Sequence, residues 1–297
     1  MSVSGHPART DRRSGGYPAA GVRVVGYRED GRTMAGGLTP GGEVVPIADV
    51  EAFWNDPEAA MASMPGSGGT ARPVEALELV PPVRPAARVL CVGLNYRDHA
   101  AEGPFEVPDH PAIFARWTAS LNVSGGTVAV PPGEPGLDWE GELLAVVGRR
   151  LHRADEETAL AGVFGYAPFN DITARRAQRR STQWTLGKNV DGSGVLGPIT
   201  PAAGVGDPAA GWSLRTLVNG EVMQEGSTAD MIFSVGAVLS AISAVFTLQP
   251  GDLLATGTPK GVGYARTPAV FLQPGDRVDV EIEHLGTAWA RVVPGES

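Results

Sequence analysis

The chain has 297 residues, enough for one large domain or two modest ones, with 42% apolar and 19% charged residues and a formal net charge of −9. That balance excludes a disordered acidic chain and a helical membrane bundle, and the acidic surplus argues against duplex nucleic acid or an anionic membrane as partner. The single cysteine, Cys91, can form neither an internal disulfide nor a cysteine metal cage, so nothing calls for an oxidising compartment.

In chain order, residues 1–20 lack an apolar leader and read as a flexible tail, and a cytoplasmic location is expected. Residues 21–80 read as a small N-terminal β domain followed by a linker. Its strand-like runs GVRVVGY and RTMAGGL flank the turn Glu29-Asp30-Gly31. Asp49–Met61 reads as one helix, and the Pro- and Gly-rich stretch 65–85 as a linker with one strand. The body, residues 86–293, alternates apolar runs of strand length with turns. ARVLCVGL and ELLAVVG come first, and the hairpin LRTLV-Asn219-Gly220-EVMQE carries the strongest turn signal, Asn-Gly. DLLAT, AVFLQ, RVDVEIEHL and TAWARVV complete a β-rich half, with Gly251-Asp252, Gly275-Asp276 and Leu285-Gly286 as turns. The uncharged run Met231–Pro250 holds three serines and ends at proline. With Val235, Val238, Leu239, Ile242, Val245 and Phe246 at helical spacing, it reads as a buried or interface-facing helix capped by Ser234, not a membrane span. With 40 Gly and 25 Pro and no collagen-like period, the fold class is α+β and β-rich, with few short helices.

Five segments could carry chemistry. Glu140 and Glu142 point to one face of a strand, where two carboxylates need either open solvent or a hard divalent cation. Asp171 can cap a helix N-terminus, with Arg175 and Gln178 following on its side. It is either an ordinary cap or a further metal ligand beside polar groups that meet a substrate. His99 and Glu102 meet across one helical turn. They are a surface pair or an acid-oriented general base acting on water. Lys188 and Lys260 are the only lysines among 24 basic residues, so an ammonium at Lys188 suits a point charge facing an oxyanion, with chance as the other account. The glycine-rich segment around Thr258 can bring backbone N–H groups to an anion, but no P-loop, GxGxxG, GxSxG or HExxH pattern is present.

In order, GLNYRDHAAE, DWEGELLAVVG, GYAPFNDITARRAQ, QWTLGKNVDGSGVLGP, VNGEVMQEGSTADMIFS, GDLLATGTPKGVG and LQPGDRVDVEIEHLG resemble the fumarylacetoacetate hydrolase superfamily, chiefly its acylpyruvase-like and bacterial catabolic branch. The resemblance covers residues 86–293 and implies a roll of stacked mixed sheets, a homodimer, and Mg²⁺ (or Mn²⁺) held by Glu140, Glu142 and Asp171. It further implies a water-activating dyad of His99 and Glu102, charge stabilisation by Lys188, and a pocket lined by Arg175, Gln178 and Thr258. The implied reaction is hydrolysis of a C–C bond in a β-diketo, acylpyruvate-type acid through a metal-held enolate. Decarboxylation or keto–enol tautomerisation of a 2-oxo acid is the alternative at the same site. Where the family often has Lys in a Phe-x-Lys element, this chain has Arg116. Val92 stands where some members carry a further aspartate ligand, so a three-carboxylate site is expected.

Overall fold

The structure, a computed structural model, describes residues 21–64, 71–100 and 108–295. It begins with an antiparallel meander: β1 (Arg23–Glu29), β2 (Arg32–Leu38) and β3 (Glu43–Asp49). The β1–β2 turn needs positive φ at both centres, and Asp30 (47°) and Gly31 (74°) supply it. Asp49–Met61 is two helices rather than the single expected one, α1 (Val50–Phe53) and α2 (Pro57–Ala62). The break has a local cause: Asp56 caps the second helix through Ala59 N (3.0 Å), and Pro57, lacking an N–H, can only start a helix. The segment read as a linker also differs. Its described part carries β4 (Arg72–Pro73) and β5 (Leu79–Val80), which flank the meander to complete a five-stranded sheet.

The body continues with β6 (Val89–Gly93), α3 (Arg97–Ala100), β7 (Ala112–Arg116), β8 (Leu121–Val123), β9 (Thr127–Val130), β10 (Gly141–Val147) and α4 (Glu156–Ala161). After these come β11 (Val163–Asp171), α5 (Arg175–Gln178), α6 (Thr185–Lys188), β12 (Gly194–Leu196) and β13 (Thr200–Pro201). The chain closes with β14 (Ser213–Val218), β15 (Glu221–Ser227), α7 (Val235–Val245), β16 (Leu253–Ala255), β17 (Arg277–Ile282) and β18 (Gly286–Pro294). An eight-stranded mixed sheet runs β7-β6-β16-β10-β11-β12-β8, with β13 paired to β11. A second five-stranded sheet runs β15-β14-β17-β18-β9. This is the β-rich, helix-poor arrangement expected. AVFLQ, however, is irregular: only Leu272 forms a bridge, to Leu137.

The large sheet is the middle layer. Along β10, Leu143, Ala145 and Val147 face a core shared with Leu214, Val280 and α7, whereas Leu144 and Val146 face a core shared with Val24, Phe53 and Trp54. This period-2 division buries every residue of β10 and β11. The N-terminal sheet is therefore joined to the body: Phe53, Trp54 and Phe164 pack edge to face, and Val24 and Ile199 exchange backbone hydrogen bonds of 2.7 and 2.9 Å. Ser234 caps α7 through Ala237 N, and Val235, Val238, Leu239 and Ile242 are buried as their spacing predicts. Val245, expected on the same stripe, is 83% exposed at the helix end. No helix among the described residues is long and apolar enough to cross a membrane.

Candidate metal centre and active site

Eight charged side chains are buried among the described residues, and seven of them meet in one place: Arg116, Asp138, Glu140, Glu142, Asp171, Arg175 and Lys188. Burying charge is costly unless partners are arranged around it, so such a cluster needs a reason. The sheet supplies the arrangement. Glu142 lies on β10 opposite Phe169 of β11, and Asp171 ends β11 with its N–H donating to the Glu140 carbonyl (2.9 Å). Glu140, Glu142 and Asp171 each offer a carboxylate oxygen within 4.8 Å of the other two.

Asp171 does not cap the helix that follows it. The N-cap of α5 is Ala174, which makes no side-chain bond there, and the Asp171 carboxylate turns to the cluster instead. It accepts from Lys188 Nζ (2.6 Å) and from Arg116 Nη1, whose other terminal nitrogen reaches Ser193 Oγ. Lys188 Nζ also donates to Glu140 Oε2 (2.8 Å). Arg175 spans Asp138 (Nε to Oδ2, 2.7 Å) and Glu140 (Nη2 to Oε1, 2.5 Å), and its remaining arm holds Gln178 Oε1 (3.0 Å). Asp138 in turn accepts N–H groups from Gly263 (2.6 Å) and Tyr264 (3.2 Å), which anchors the glycine-rich segment. Thr258 Oγ1 donates to the Gly141 carbonyl and accepts from Gln224 Nε2, both at 2.8 Å, so its hydroxyl braces that segment against β10.

The electrostatics divide the four carboxylates. Burial raises Asp138 above the ordinary aspartate range, and Arg175 pulls against that rise. Glu142 is pushed well above the glutamate range by burial, then by Asp171 and Glu140. It receives Gly257 N–H (2.8 Å) and pairs with no Arg or Lys among the described residues. Burial pulls the Lys188 ammonium down, but Asp171 and Glu140 outweigh it, so Lys188 stays protonated. When all seven groups are ionised the cluster carries one negative charge. Three buried, close carboxylates with no nitrogen or sulfur donor among them suit a hard, oxygen-binding divalent ion such as Mg²⁺ or Mn²⁺.

The cluster opens on a cavity of about 590 Å³, whose lining includes Glu140, Arg175, Gln178, Lys188 and Thr258. Val92 also lines it, at the position where a fourth acidic ligand is absent. The His99 backbone lies on α3, directly after the buried Asn95 and Tyr96. Its side chain, and all of Glu102, lie outside the described residues. Sequence reasoning missed Asp138 and Gln224, expected anion-facing N–H groups in the glycine-rich segment without singling out Gly257, and treated Arg116 only as a departure from the family pattern. Asp138 had a visible signal, an acid next to the Trp139-Glu140 pair. Gln224 had none, because Thr258 and Gly141, the partners through which it braces the site, stand 34 and 83 residues away in the chain.

A family model described as "Fumarylacetoacetate (FAA) hydrolase C-terminal" matches residues 88–293. The chain is 39% identical over 208 residues to oxaloacetate tautomerase YisK of Bacillus subtilis, covering 69% of each protein. It is also 39% identical over 248 residues to a 2,4-didehydro-3-deoxy-L-rhamnonate hydrolase of Sphingomonas, covering 82% of this chain and 84% of that one. Among solved structures, fumarylpyruvate hydrolase from Pseudomonas aeruginosa in complex with Mn²⁺ and pyruvate superposes with a TM-score of 0.65. It is 34% identical, over 73% of this chain and 92% of that one.

Proposed function

The chain belongs to the fumarylacetoacetate hydrolase superfamily, and on that premise we propose that it is a divalent-metal-dependent hydrolase of a β-diketo, acylpyruvate-type acid. The observation that carries the reading is the buried triad of Glu140, Glu142 and Asp171, with Glu142 lacking a cationic partner among the described residues. These three would hold Mg²⁺ or Mn²⁺, which would supply a Lewis acid for the 2-oxo acid's carbonyl and for the negative charge of an enolate. The count of charges agrees: a divalent ion turns the cluster's net negative charge into one positive, which the acid's own carboxylate offsets.

Lys188 uses two of its three N–H donors on Glu140 and Asp171, and the third serves an oxygen of a bound acid in the cavity it lines. His99, oriented by Glu102, takes a proton from water, and the resulting hydroxide adds to the carbonyl remote from the carboxylate. The C–C bond then breaks, its electron pair passes to the 2-oxo fragment as an enolate, and His99 returns the proton to that carbon. Arg175 and Gln178 orient the acid. The enzyme works as a homodimer on small 2-oxo or β-diketo acids. A second reading, oxaloacetate keto–enol tautomerisation, is favoured by the 39% identity to a tautomerase; it uses the same enolate without attack by water.

The test gives purified protein an acylpyruvate series and oxaloacetate, with Mg²⁺ and with a chelator, following diketone and enol absorbance and CO₂. Metal-dependent cleavage of an acylpyruvate, lost in Glu140→Ala, is the expected result. Equilibration of enol and keto oxaloacetate without cleavage selects the second reading. Conversion of neither, with any divalent ion, refutes both.

A further inference from the structure

The cavity lining carries three hydroxyl groups, on Ser181, Thr258 and Tyr264. Two are committed to the protein. Ser181 Oγ donates to the Gln183 carbonyl (3.1 Å) and accepts from Gln183 N (3.2 Å), and Thr258 Oγ1 is used twice in bracing its segment. The Tyr264 hydroxyl has no hydrogen-bond partner among the described residues, although the residue is partly buried. Shielded hydroxyls normally find a partner, so this one needs a reason.

The rest of Tyr264 is held closely. It lies in the short turn Gly263–Ala265, whose Gly263 and Tyr264 N–H groups both end on Asp138. Gly263 permits that approach: a Cβ there would run into the Val270 carbonyl and meet Asp138 Oδ1 at 2.7 Å. The ring lies against two guanidiniums, with Arg175 at 4.3 Å and Arg179 at 5.0 Å from its centroid. Arg175 is itself tied to Asp138 and Glu140, so Asp138 fixes both the backbone of the ring and a cation stacked on it. Only that guanidinium separates the ring from Glu140, which places Tyr264 at the carboxylate end of the cavity. A side chain fixed at these points has little freedom to lose on meeting a ligand. Burial raises the phenol above its ordinary range, so it keeps its proton at neutral pH and can donate. The carboxylate and 2-oxo oxygens of the acids proposed for this cavity only accept. We infer that Tyr264 touches the substrate, its hydroxyl donating a hydrogen bond to an oxygen of the carboxylate or 2-oxo group of the bound acid. The inference rests on the proposed 2-oxo acid chemistry and adds a substrate-binding residue to it.

Tyr264→Phe tests it, because it removes the hydroxyl and keeps the ring on which Arg175 and Arg179 stack. Pyruvate is the probe: it carries both groups named and has no β-diketone bond to cleave, so its binding can be titrated at equilibrium. Calorimetric titration of the Mg²⁺-loaded protein with pyruvate should show binding weakened about tenfold in Tyr264→Phe, the size expected of one hydrogen bond to a charged acceptor. Mn²⁺ affinity without pyruvate, and Tm, should stay at their wild-type values, which a merely structural hydroxyl would not allow. Pyruvate binding within about twofold of wild type overturns the inference and leaves the 2-oxo acid reading standing. A weakening of pyruvate matched by an equal loss of Mn²⁺ affinity also overturns it, because the hydroxyl then serves the carboxylates and not the substrate. Failure of the wild-type protein to bind pyruvate in the presence of Mg²⁺ or Mn²⁺ overturns the inference and the 2-oxo acid reading together.

Discussion

Replacing Asp138 with Asn tests how the proposed metal ligands are held. The Asp138 carboxylate is fully buried and accepts from Arg175 Nε at 2.7 Å, Gly263 N at 2.6 Å, Tyr264 N at 3.2 Å and its neighbour Trp139 N at 2.9 Å. Asn keeps the size but replaces one oxygen with an NH₂ group facing donors, and it removes the negative charge opposite Arg175. Breaking a buried ion pair from one side costs roughly 3–5 kcal/mol. Two effects favour the lower end: Arg175 retains Glu140 at 2.5 Å, and the burial that raises the Asp138 pKa no longer has a charge to penalise. About 3 kcal/mol in a chain of this size lowers Tm by roughly 6–12 °C. Arg175, with one acid fewer, leans harder on Glu140 and competes with the metal, so Mn²⁺ affinity should fall at least about tenfold. Thermal unfolding and Mn²⁺ titration by electron paramagnetic resonance read the two effects separately. Unchanged Mn²⁺ affinity with a Tm within about 2 °C of wild type would refute the reasoning.

Three further outcomes follow from the packing. Gly257→Ala should cost about 1–3 kcal/mol and weaken the hold on Glu142. Gly257 sits at φ +90°, a Cβ there would meet Asn95 Cβ at 2.9 Å, and its N–H is the donor to Glu142; urea unfolding and Mn²⁺ binding check this. Burial raises the phenols of Tyr96 and Tyr166, so they ionise in the unfolded chain before the folded one. Stability is therefore intact below about pH 10 and falls above it, and tyrosinate absorbance from these two residues should appear together with unfolding. Cys91 is fully buried with its thiol pKa raised by burial, so a disulfide reagent should label it only at the rate of unfolding; rapid labelling of folded protein would contradict the packing around β6.

Local chemistry made much of this legible. The apolar run ELLAVVG, the Asn219-Gly220 turn and the Ser234 cap each specify their element within a few residues, and the structure has all three. The rarity of lysine drew attention to Lys188, which is buried against two carboxylates. The failures share a cause. Of the two readings its neighbours leave open for Asp171, the cap is the one not formed: its partners are Arg116 and Lys188, brought to it by folding. AVFLQ has strand composition, yet only Leu272 finds a backbone partner in register. A single helix over Asp49–Met61 would place Pro57 inside it, and the Asp56 cap was the overlooked stop.

The paired bonds between Val24 and Ile199 bear on what can be cut from this protein. A fragment starting near residue 86 would uncover Phe164, Leu196 and Ile199 and leave the amide and carbonyl of Ile199 seeking another strand. Such a surface self-associates, so shortened versions of the body should express as aggregates unless those positions are made polar. The described residues between 21 and 80 thus act as a built-in solubility partner for the half of the molecule that carries the carboxylates.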